Sequence, residues 1–141
     1  MSSALHHLDL NVTDMKRSHA FYDRVLSHIG YRSADYSAPD EAEGFDWLAP
    51  SLSGDRFSIG LYQARGSSRH DRYSAGVHHI ALTAPSREAV DDLYAVLLDI
   101  GAQILDPPRE YPKYEPGYYA VFFLDPDGIK LEYVFTPAVE F

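Results

Sequence analysis

The chain has no cysteine among its 141 residues. Disulfides, thiolate metal ligands and a thiol nucleophile are therefore excluded, and a reducing compartment is the natural setting, so we expect a cytoplasmic protein. No apolar run is long enough to cross a membrane, so no membrane partner is expected. The first residues, MSSALHHLDL, carry neither a basic patch nor a long apolar stretch, and they predict no signal peptide.

Positive charge is also scarce. Lysine and arginine total 12 against 21 aspartates and glutamates, which gives a net charge of −9. Because binding to a phosphate backbone needs a basic face, we expect no nucleic-acid partner. The acidic surface is mainly a solvated one, and it favours a cationic ligand only secondarily. With 45% hydrophobic residues, a chain of this length is expected to fold as one soluble domain, residues 1–141, with a real core.

An internal repeat dominates the pattern. The stretch Gly76–Ser86, GVHHIALTAPS, is a short apolar strand with a histidine, followed at once by a helix start. The stretch His7–Asp14, HLDLNVTD, does the same at the beginning of the chain. His79 follows His7 by 72 residues, about half the chain. The sequence therefore predicts two copies of one unit, at about 1–66 and 75–141, joined by a linker at about 67–74.

Each copy is predicted to be β-α-β-β-β. Alternation over 5–12 places Leu8, Leu10 and Val12 on one face of a strand and His7, Asp9 and Asn11 on the other. In each copy a capping residue, Thr13 or Asp14 and then Ser86, begins a helix that ends at a glycine. The further predicted strands are Tyr31–Tyr36, Phe45–Ala49 and Arg56–Gln63 in the first copy, and Gln103–Leu105, Tyr118–Leu124 and Ile129–Phe135 in the second.

This element order resembles the vicinal-oxygen-chelate superfamily of glyoxalases, bleomycin-resistance proteins and extradiol dioxygenases. The matching stretches are the two strand-helix segments, the FFLDPDG turn at Phe123–Gly128, and Leu131-Glu132 beyond it. The resemblance covers nearly the whole chain. It implies an α+β fold in which two β-α-β-β-β modules form a curved mixed sheet that encloses a cleft. The superfamily pairs its halves within one chain or across a dimer, so a homodimer stays open.

The resemblance also implies a metal site. Superfamily ligands come from the first and last strands of each half, which here gives His7, His79 and Glu132. The 72-residue offset puts the fourth position at Gly60, which has no side chain and leaves coordination positions open for water and substrate. Two imidazoles and a carboxylate suit one divalent ion, Fe²⁺, Mn²⁺, Zn²⁺ or Ni²⁺.

Strand parity supports the two histidines over their neighbours. His6 and His78 are adjacent to the chosen pair but have the opposite parity, while Leu8 and Ile80 should face the helices. Glu132 lies between Leu131 and Tyr133 in an apolar strand, where a buried carboxylate without a partner would be costly.

A few further residues could donate or accept protons near the predicted metal site. Asp9 shares the parity of His7, and tyrosines Tyr114 and Tyr119 lie on or before the strand that neighbours Glu132. Lys130 could neutralise a substrate anion or be a solvated lysine. The proline-rich stretch Asp106–Gly117 is predicted to be a loop that forms a lid, with Tyr111 or Tyr114 turned inward. Simple packing of this loop on its own domain is the alternative.

The function that follows is a metal-dependent glyoxalase- or dioxygenase-like enzyme acting on a small, oxygen-rich substrate that chelates the ion. Isomerisation, ring-opening oxygenation and addition to an electrophile all stay open. A set of two histidines and one glutamate is closer to extradiol dioxygenases and fosfomycin-resistance enzymes than to glyoxalase I, which uses four ligands. The alternatives are a metal-free protein of the bleomycin-resistance kind that sequesters a cationic ligand, and an interaction module that keeps the ligands as a relic.

Overall fold

A computed structural model of the chain describes residues 5–34, 44–49 and 57–137. The chain divides into two compact units between Ser68 and Arg69, within the segment predicted to be the linker. The described elements of the first unit are β1 (His7–Val12), α1 (Met15–His28), β2 (Arg32–Ala34), β3 (Gly44–Leu48) and β4 (Ser58–Gln63). Those of the second are β5 (His79–Thr83), α2 (Arg87–Asp99), β6 (Gln103–Glu110), β7 (Tyr119–Leu124) and β8 (Lys130–Phe135). The predicted order β-α-β-β-β is confirmed twice.

Each unit contains one four-stranded mixed sheet, so the predicted α+β class is confirmed. The strand orders are β1-β4-β3-β2 and β5-β8-β7-β6, and the first pair in each sheet is parallel while the other pairs are antiparallel. The registers correspond: Asp9 pairs with Gly60 in the first sheet, and Ala81 pairs with Glu132 in the second. Both members of the second pair follow their counterparts by 72 residues, which confirms the repeat offset.

The helix of the first unit begins at a capping residue and packs its apolar face on the sheet. Asp14 accepts a hydrogen bond from the backbone N–H of Arg17 at 3.0 Å, which satisfies a free amide of the first turn. The buried apolar side chains of this unit are Leu10, Val12, Phe21, Tyr22, Val25, Leu26, Trp47, Ile59 and Leu61. Full burial of one such side chain stabilises the fold by about 1.5–3 kcal/mol. Because Leu10 and Val12 lie on the side of β1 that faces the helix, the side chains of His7 and Asp9 lie on the opposite side of the strand.

The second unit repeats this arrangement. Ser86 caps α2 by accepting a hydrogen bond from the backbone N–H of Ala89 at 3.1 Å. The helix contacts β6, β7 and β8, and its buried residues are Val90, Leu93 and Leu97. The helix covers the face of the sheet that carries Leu131 and Tyr133. Because side chains alternate across a strand, Glu132 lies on the opposite face, which the helix does not cover. Among the residues described, neither helix has the length and apolar character needed to span a membrane.

A tight turn fixes the register of β7 and β8. The side chain of Asp125 accepts hydrogen bonds from the backbone N–H groups of Asp127 and Ile129 at 2.9 and 2.8 Å. Gly128 adopts a φ of 86°, a left-handed conformation that glycine adopts without strain. The turn was predicted, and it sets the register in which Glu132 pairs with Phe122.

One predicted loop is partly a strand. The stretch Asp106–Gly117 was expected to be loop throughout, but β6 continues to Glu110, so the prediction is wrong over Asp106–Glu110. The prolines are tolerated because β6 is the edge strand of its sheet and because its pairing with β7 shifts register twice between Ile104 and Arg109. Edge strands and bulges are where a residue without an N–H can be accommodated. The connection between β6 and β7 is correspondingly short, closed by a hydrogen bond from the N–H of Tyr111 to the carbonyl of Tyr118 at 2.8 Å.

Candidate metal centre

Glu132 is the most deeply buried ionisable group of the second unit that faces away from α2. It is 2% exposed, and its two carboxylate oxygens have different neighbours. Oε2 lies 3.5 Å from Nε2 of His79 on β5. Oε1 accepts a short hydrogen bond from the hydroxyl of Tyr118. A buried carboxylate is costly without a partner, and here the hydroxyl of Tyr118 donates a hydrogen bond to it.

A second histidine orients His79. Nδ1 of His78 lies 2.7 Å from Nδ1 of His79, so one of these nitrogens donates a hydrogen bond and the other accepts it. With Nδ1 engaged, His79 presents Nε2 to Glu132. Metal-ligating histidines are commonly held in one tautomer in this way, by a hydrogen bond at the nitrogen that does not bind the ion.

The first unit carries the same doublet. Nδ1 of His6 lies 2.9 Å from Nδ1 of His7, and the two rings meet edge to face at 5.2 Å between centroids. From strand parity, His6 and His78 were predicted to lie on the opposite strand face from His7 and His79. Both residues precede the first residue of their strands, so the alternation of a strand does not govern them. The tandem HH at each repeat was the sequence feature that could have identified them.

The first unit also places a carboxylate beside its histidine, but from a different strand position. Oδ2 of Asp9 lies 3.7 Å from Nε2 of His7, with side chains 39% and 55% exposed. Gly60, the position expected to be open, is covered by carboxylates: a Cβ atom there would collide with Oδ1 of both Asp9 and Asp46. The three residues are cross-strand neighbours in β1, β4 and β3.

Both histidine–carboxylate separations are longer than a direct hydrogen bond. At 3.5 and 3.7 Å they exceed the 2.7–3.2 Å of an N–H···O hydrogen bond. Two donors that bind one ion at about 2.1 Å and a tetrahedral angle lie about 3.4 Å apart. Over the described part of the chain, no three histidine or carboxylate side chains gather closely enough to hold an ion. Each unit brings together one histidine and one carboxylate, His7 with Asp9 and His79 with Glu132, and imidazole and carboxylate are donor types that divalent metals accept.

Aromatic residues flank Glu132 in the second unit. Tyr111, Tyr114 and Tyr118, here called the tyrosine cluster, contact one another with ring centroids 5.2–6.2 Å apart. Tyr111 is buried against Phe122, so it packs on its own sheet, whereas Tyr114 is 57% exposed. Burial and the hydrogen bond to Glu132 raise the pKa of Tyr118 far above its usual value, which keeps its phenol protonated. Nζ of Lys130 lies 4.7 Å from the centre of the Phe122 ring.

Tyr119, one of the predicted proton donors, lies on the other face of the sheet. Its hydroxyl donates a hydrogen bond to Asp91 of α2 at 2.6 Å. That hydrogen bond, with burial, raises the pKa of Tyr119 to about 12. The neighbour Tyr118 is the tyrosine that reaches Glu132, and sequence reasoning did not select it. The sequence carried a partial signal, because Tyr118 has the parity of Ala120 and Phe122 in the predicted strand Tyr118–Leu124, although the observed β7 begins only at Tyr119.

Comparison with known proteins identifies the class. The family model of the Glyoxalase/Bleomycin resistance protein/Dioxygenase superfamily matches residues 4–133. The chain therefore belongs to this superfamily, as its sequence motifs had suggested.

The chain is similar over most of its length to two known proteins and to one solved structure. The chain is 32% identical over 133 residues to YqjT of Bacillus subtilis (strain 168), covering 92% of this chain and 97% of the relative. It is 29% identical over 131 residues to the metallothiol transferase FosB of Lysinibacillus sphaericus (strain C3-41), covering 92% and 80%. A solved structure of a Bacillus halodurans protein superposes with a TM-score of 0.74 at 29% identity, covering 94% of this chain and 95% of that one.

Proposed function

We propose that this chain is a metal-dependent enzyme that holds one divalent ion with His7, His79 and Glu132 and acts on a small, oxygen-rich substrate that chelates the ion. The ligand set draws on both units of the repeat. The expected ions are Fe²⁺, Mn²⁺, Zn²⁺ and Ni²⁺, which accept imidazole and carboxylate together.

The observation that carries the proposal is the environment of Glu132. The carboxylate is buried in an apolar strand, one oxygen accepts from Tyr118, and the other lies 3.5 Å from a histidine nitrogen without being hydrogen-bonded to it. The histidine's other nitrogen is already engaged by His78. A structural carboxylate would be stabilised best by a direct hydrogen bond to the imidazole, whereas this spacing leaves room for an ion between the two groups.

Bound there, the ion would polarise an oxygen atom of the substrate, which is the contribution that a single Lewis-acidic metal makes. The surrounding residues have separate tasks. Tyr118 stays protonated and keeps the carboxylate of Glu132 turned toward His79. Lys130, on the same sheet face as Glu132, supplies a positive charge that can hold an anionic group of the substrate. Phe122 and the tyrosine cluster supply an apolar wall against which the carbon skeleton packs.

Among the three reaction types, similarity to FosB favours addition of a nucleophile to an electrophilic substrate. That relative is a metallothiol transferase and aligns over 92% of this chain. The chain has no cysteine, so a thiol nucleophile would have to be a second substrate. Turnover of an electrophilic, oxygen-rich compound that requires both a metal and an added thiol would support this reaction over isomerisation or oxygenation.

The second candidate is a metal-free protein that sequesters a cationic ligand. The net charge of −9 favours it, because an acidic surface attracts cations. A binding protein of that kind has no need of paired histidines and carboxylates. Metal binding therefore separates the two functions.

The test is removal of one proposed ligand beside a matched control. His79→Ala should weaken Mn²⁺ binding by about 100-fold or more, since loss even of a residue that supports a ligand costs about 10- to 100-fold. His28→Ala removes an exposed histidine from the last turn of α1 and should leave binding unchanged. Affinities measured by titration calorimetry decide the matter: equal affinity in His79→Ala and the wild-type chain would refute the assignment.

A further inference from the structure

The first unit has a surface cavity where its two parallel strands, β1 and β4, end. The cavity has a volume of about 730 Å³, which is within the range of small-molecule sites. Its lining residues are Asn11, Tyr62, Gln63, Ala64, Arg65 and Gly66. None of them is a proposed metal ligand, and His7 lies about 13 Å before Asn11 along β1. The cavity is therefore separate from the histidine–carboxylate pair of this unit.

An aromatic ring forms part of the cavity wall. Asn11 and Tyr62 are direct partners in the register of β1 and β4, so their side chains are neighbours on one face of the sheet. The ring of Tyr62 lies beside Gly44 of β3, since a Cβ atom at Gly44 would be 3.3 Å from two of the ring carbons. Tyr62 is 42% exposed, so it presents an aromatic surface to the cavity.

Gln63 fixes the backbone around the cavity. Its Nε2 donates a hydrogen bond to the carbonyl of Thr13 at 2.9 Å, and its Oε1 accepts one from the N–H of Met15 at 3.3 Å. The N–H of Ala64 donates to the carbonyl of Val12 at 2.8 Å. These bonds join the end of β4 to the start of α1. The rim is therefore ordered before a ligand arrives, which lowers the entropic cost of binding.

Arg65 gives the cavity its charge. It is the charged residue of the lining, in a chain whose net charge is −9. Within the described part of the chain, the side chains of Arg65 and Asn11 have no hydrogen-bond or ion-pair partner. Their N–H groups are available to donate to a ligand. The carboxylates of Asp9 and Asp46 lie above Gly60 on the same sheet face, and they repel an anion from that side.

We propose that this cavity binds a small aromatic carboxylate, with the carboxylate at Arg65 and Asn11 and the ring against Tyr62. One guanidinium neutralises one negative charge, and its N–H groups match the oxygens of a carboxylate. A phosphate dianion brings twice that charge, whereas the lining holds a single cation. The ring of Tyr62 favours a planar ligand, because paired aromatic rings attract each other beyond the area they bury.

The test uses the full chain and three probes that share a ring and differ in the head group: benzoate, benzamide and phenyl phosphate. Affinities are measured by NMR titration of isotope-labelled protein with a chelator present, so that no metal ion carries the binding. Benzoate should bind most tightly and shift the amide signals of Asn11 and residues 62–66. Tighter binding of either other probe, shifts confined to other residues, or no shifts at millimolar benzoate would overturn the proposal.

A pair of variants tests the role of Arg65. Arg65→Gln removes the charge from an exposed residue and should weaken benzoate binding by about 10-fold or more, with little effect on benzamide. Arg32→Gln, the control, removes the same charge from an exposed residue of β2 that does not line the cavity, and should bind benzoate as the wild-type chain does. Unchanged affinity in Arg65→Gln, or equal losses in both variants, would refute the assignment.

The outcomes are independent of those for the metal site. A chain that binds Mn²⁺ and not benzoate keeps the proposed function and loses this inference. A chain that binds benzoate through Arg65 and takes up no divalent ion keeps this inference and loses the proposed function.

Discussion

At the scale of single residues, the site depends on which neighbours hold the ligands. Nδ1 of each proposed histidine ligand is engaged by the histidine before it in the chain, and Glu132 is engaged by Tyr118. Residues of this kind do not bind the ion, but they fix the ligand's tautomer or rotamer. Strand parity had assigned the two histidines of each HH pair to opposite strand faces. The structure shows instead that the first histidine of each pair lies before its strand begins.

Tyr118 offers the sharpest test of such a role. Tyr118→Phe removes the hydroxyl that donates to Glu132 while keeping the ring in the tyrosine cluster. We expect Mn²⁺ binding to weaken by about 10- to 100-fold, since the carboxylate loses the hydrogen bond that orients it. Titration calorimetry measures the affinity.

Tyr119→Phe is the matched control for this prediction. It removes a hydroxyl from the next residue, on the sheet face where Asp91 of α2 accepts its hydrogen bond. Mn²⁺ affinity should be unchanged in this variant. Equal losses in both variants would mean that Tyr118 acts through general stability and not through Glu132.

At the scale of elements, most of the secondary structure was predictable because the repeat supplied each pattern twice. Alternation in β1 and β5 and the caps Asp14 and Ser86 were visible in the sequence. The extension of β6 was not, because consecutive prolines normally end a strand, and only the edge position and the register shifts make them acceptable.

The site was partly predictable for the same reason. The resemblance to the superfamily led to His79 and Glu132, and the repeat offset supported His79; the structure places these two residues 3.5 Å apart. The offset also led to Gly60 as an open position, whereas Asp9 and Asp46 fill the space above it. A repeat specifies backbone positions, and it does not show that a side chain from the neighbouring strand can cover a glycine.

The contact between α2 and β7 yields a prediction on stability and pH. The pKa of Tyr119 is raised to about 12 by its hydrogen bond to Asp91 and by burial. A group with a raised folded-state pKa contributes stability that is fully present below its unfolded value, about 10, and is lost as the pH rises through about 12. Tyr119→Phe should thus cost about 1 kcal/mol or less at neutral pH.

Urea unfolding of the wild-type chain and of Tyr119→Phe at several pH values measures this difference. The free energies of unfolding should differ by a constant amount up to about pH 10 and converge above it. A difference that grows between pH 10 and pH 12 would contradict the assigned direction of the pKa shift.

At the scale of the whole molecule, each of the two similar units carries one histidine–carboxylate pair. The repeat gives each unit a histidine and a carboxylate, 3.7 Å apart in the first and 3.5 Å apart in the second. Neither pair alone is a complete site, since a stable site for these ions normally has at least three protein ligands. Ion binding should therefore stabilise the folded chain as a whole and raise its melting temperature with ion concentration.

The most direct measurement of the central claim is the number of divalent ions bound per chain. The protein, freed of metal with a chelator, is titrated with Mn²⁺ and Zn²⁺, and bound metal is counted by elemental analysis after removal of excess ion. We expect one ion per 141-residue chain, and its loss when either His7 or His79 is replaced by alanine. Two ions per chain, one for each histidine–carboxylate pair, would contradict a shared site, and no bound ion would contradict the metal-dependent function.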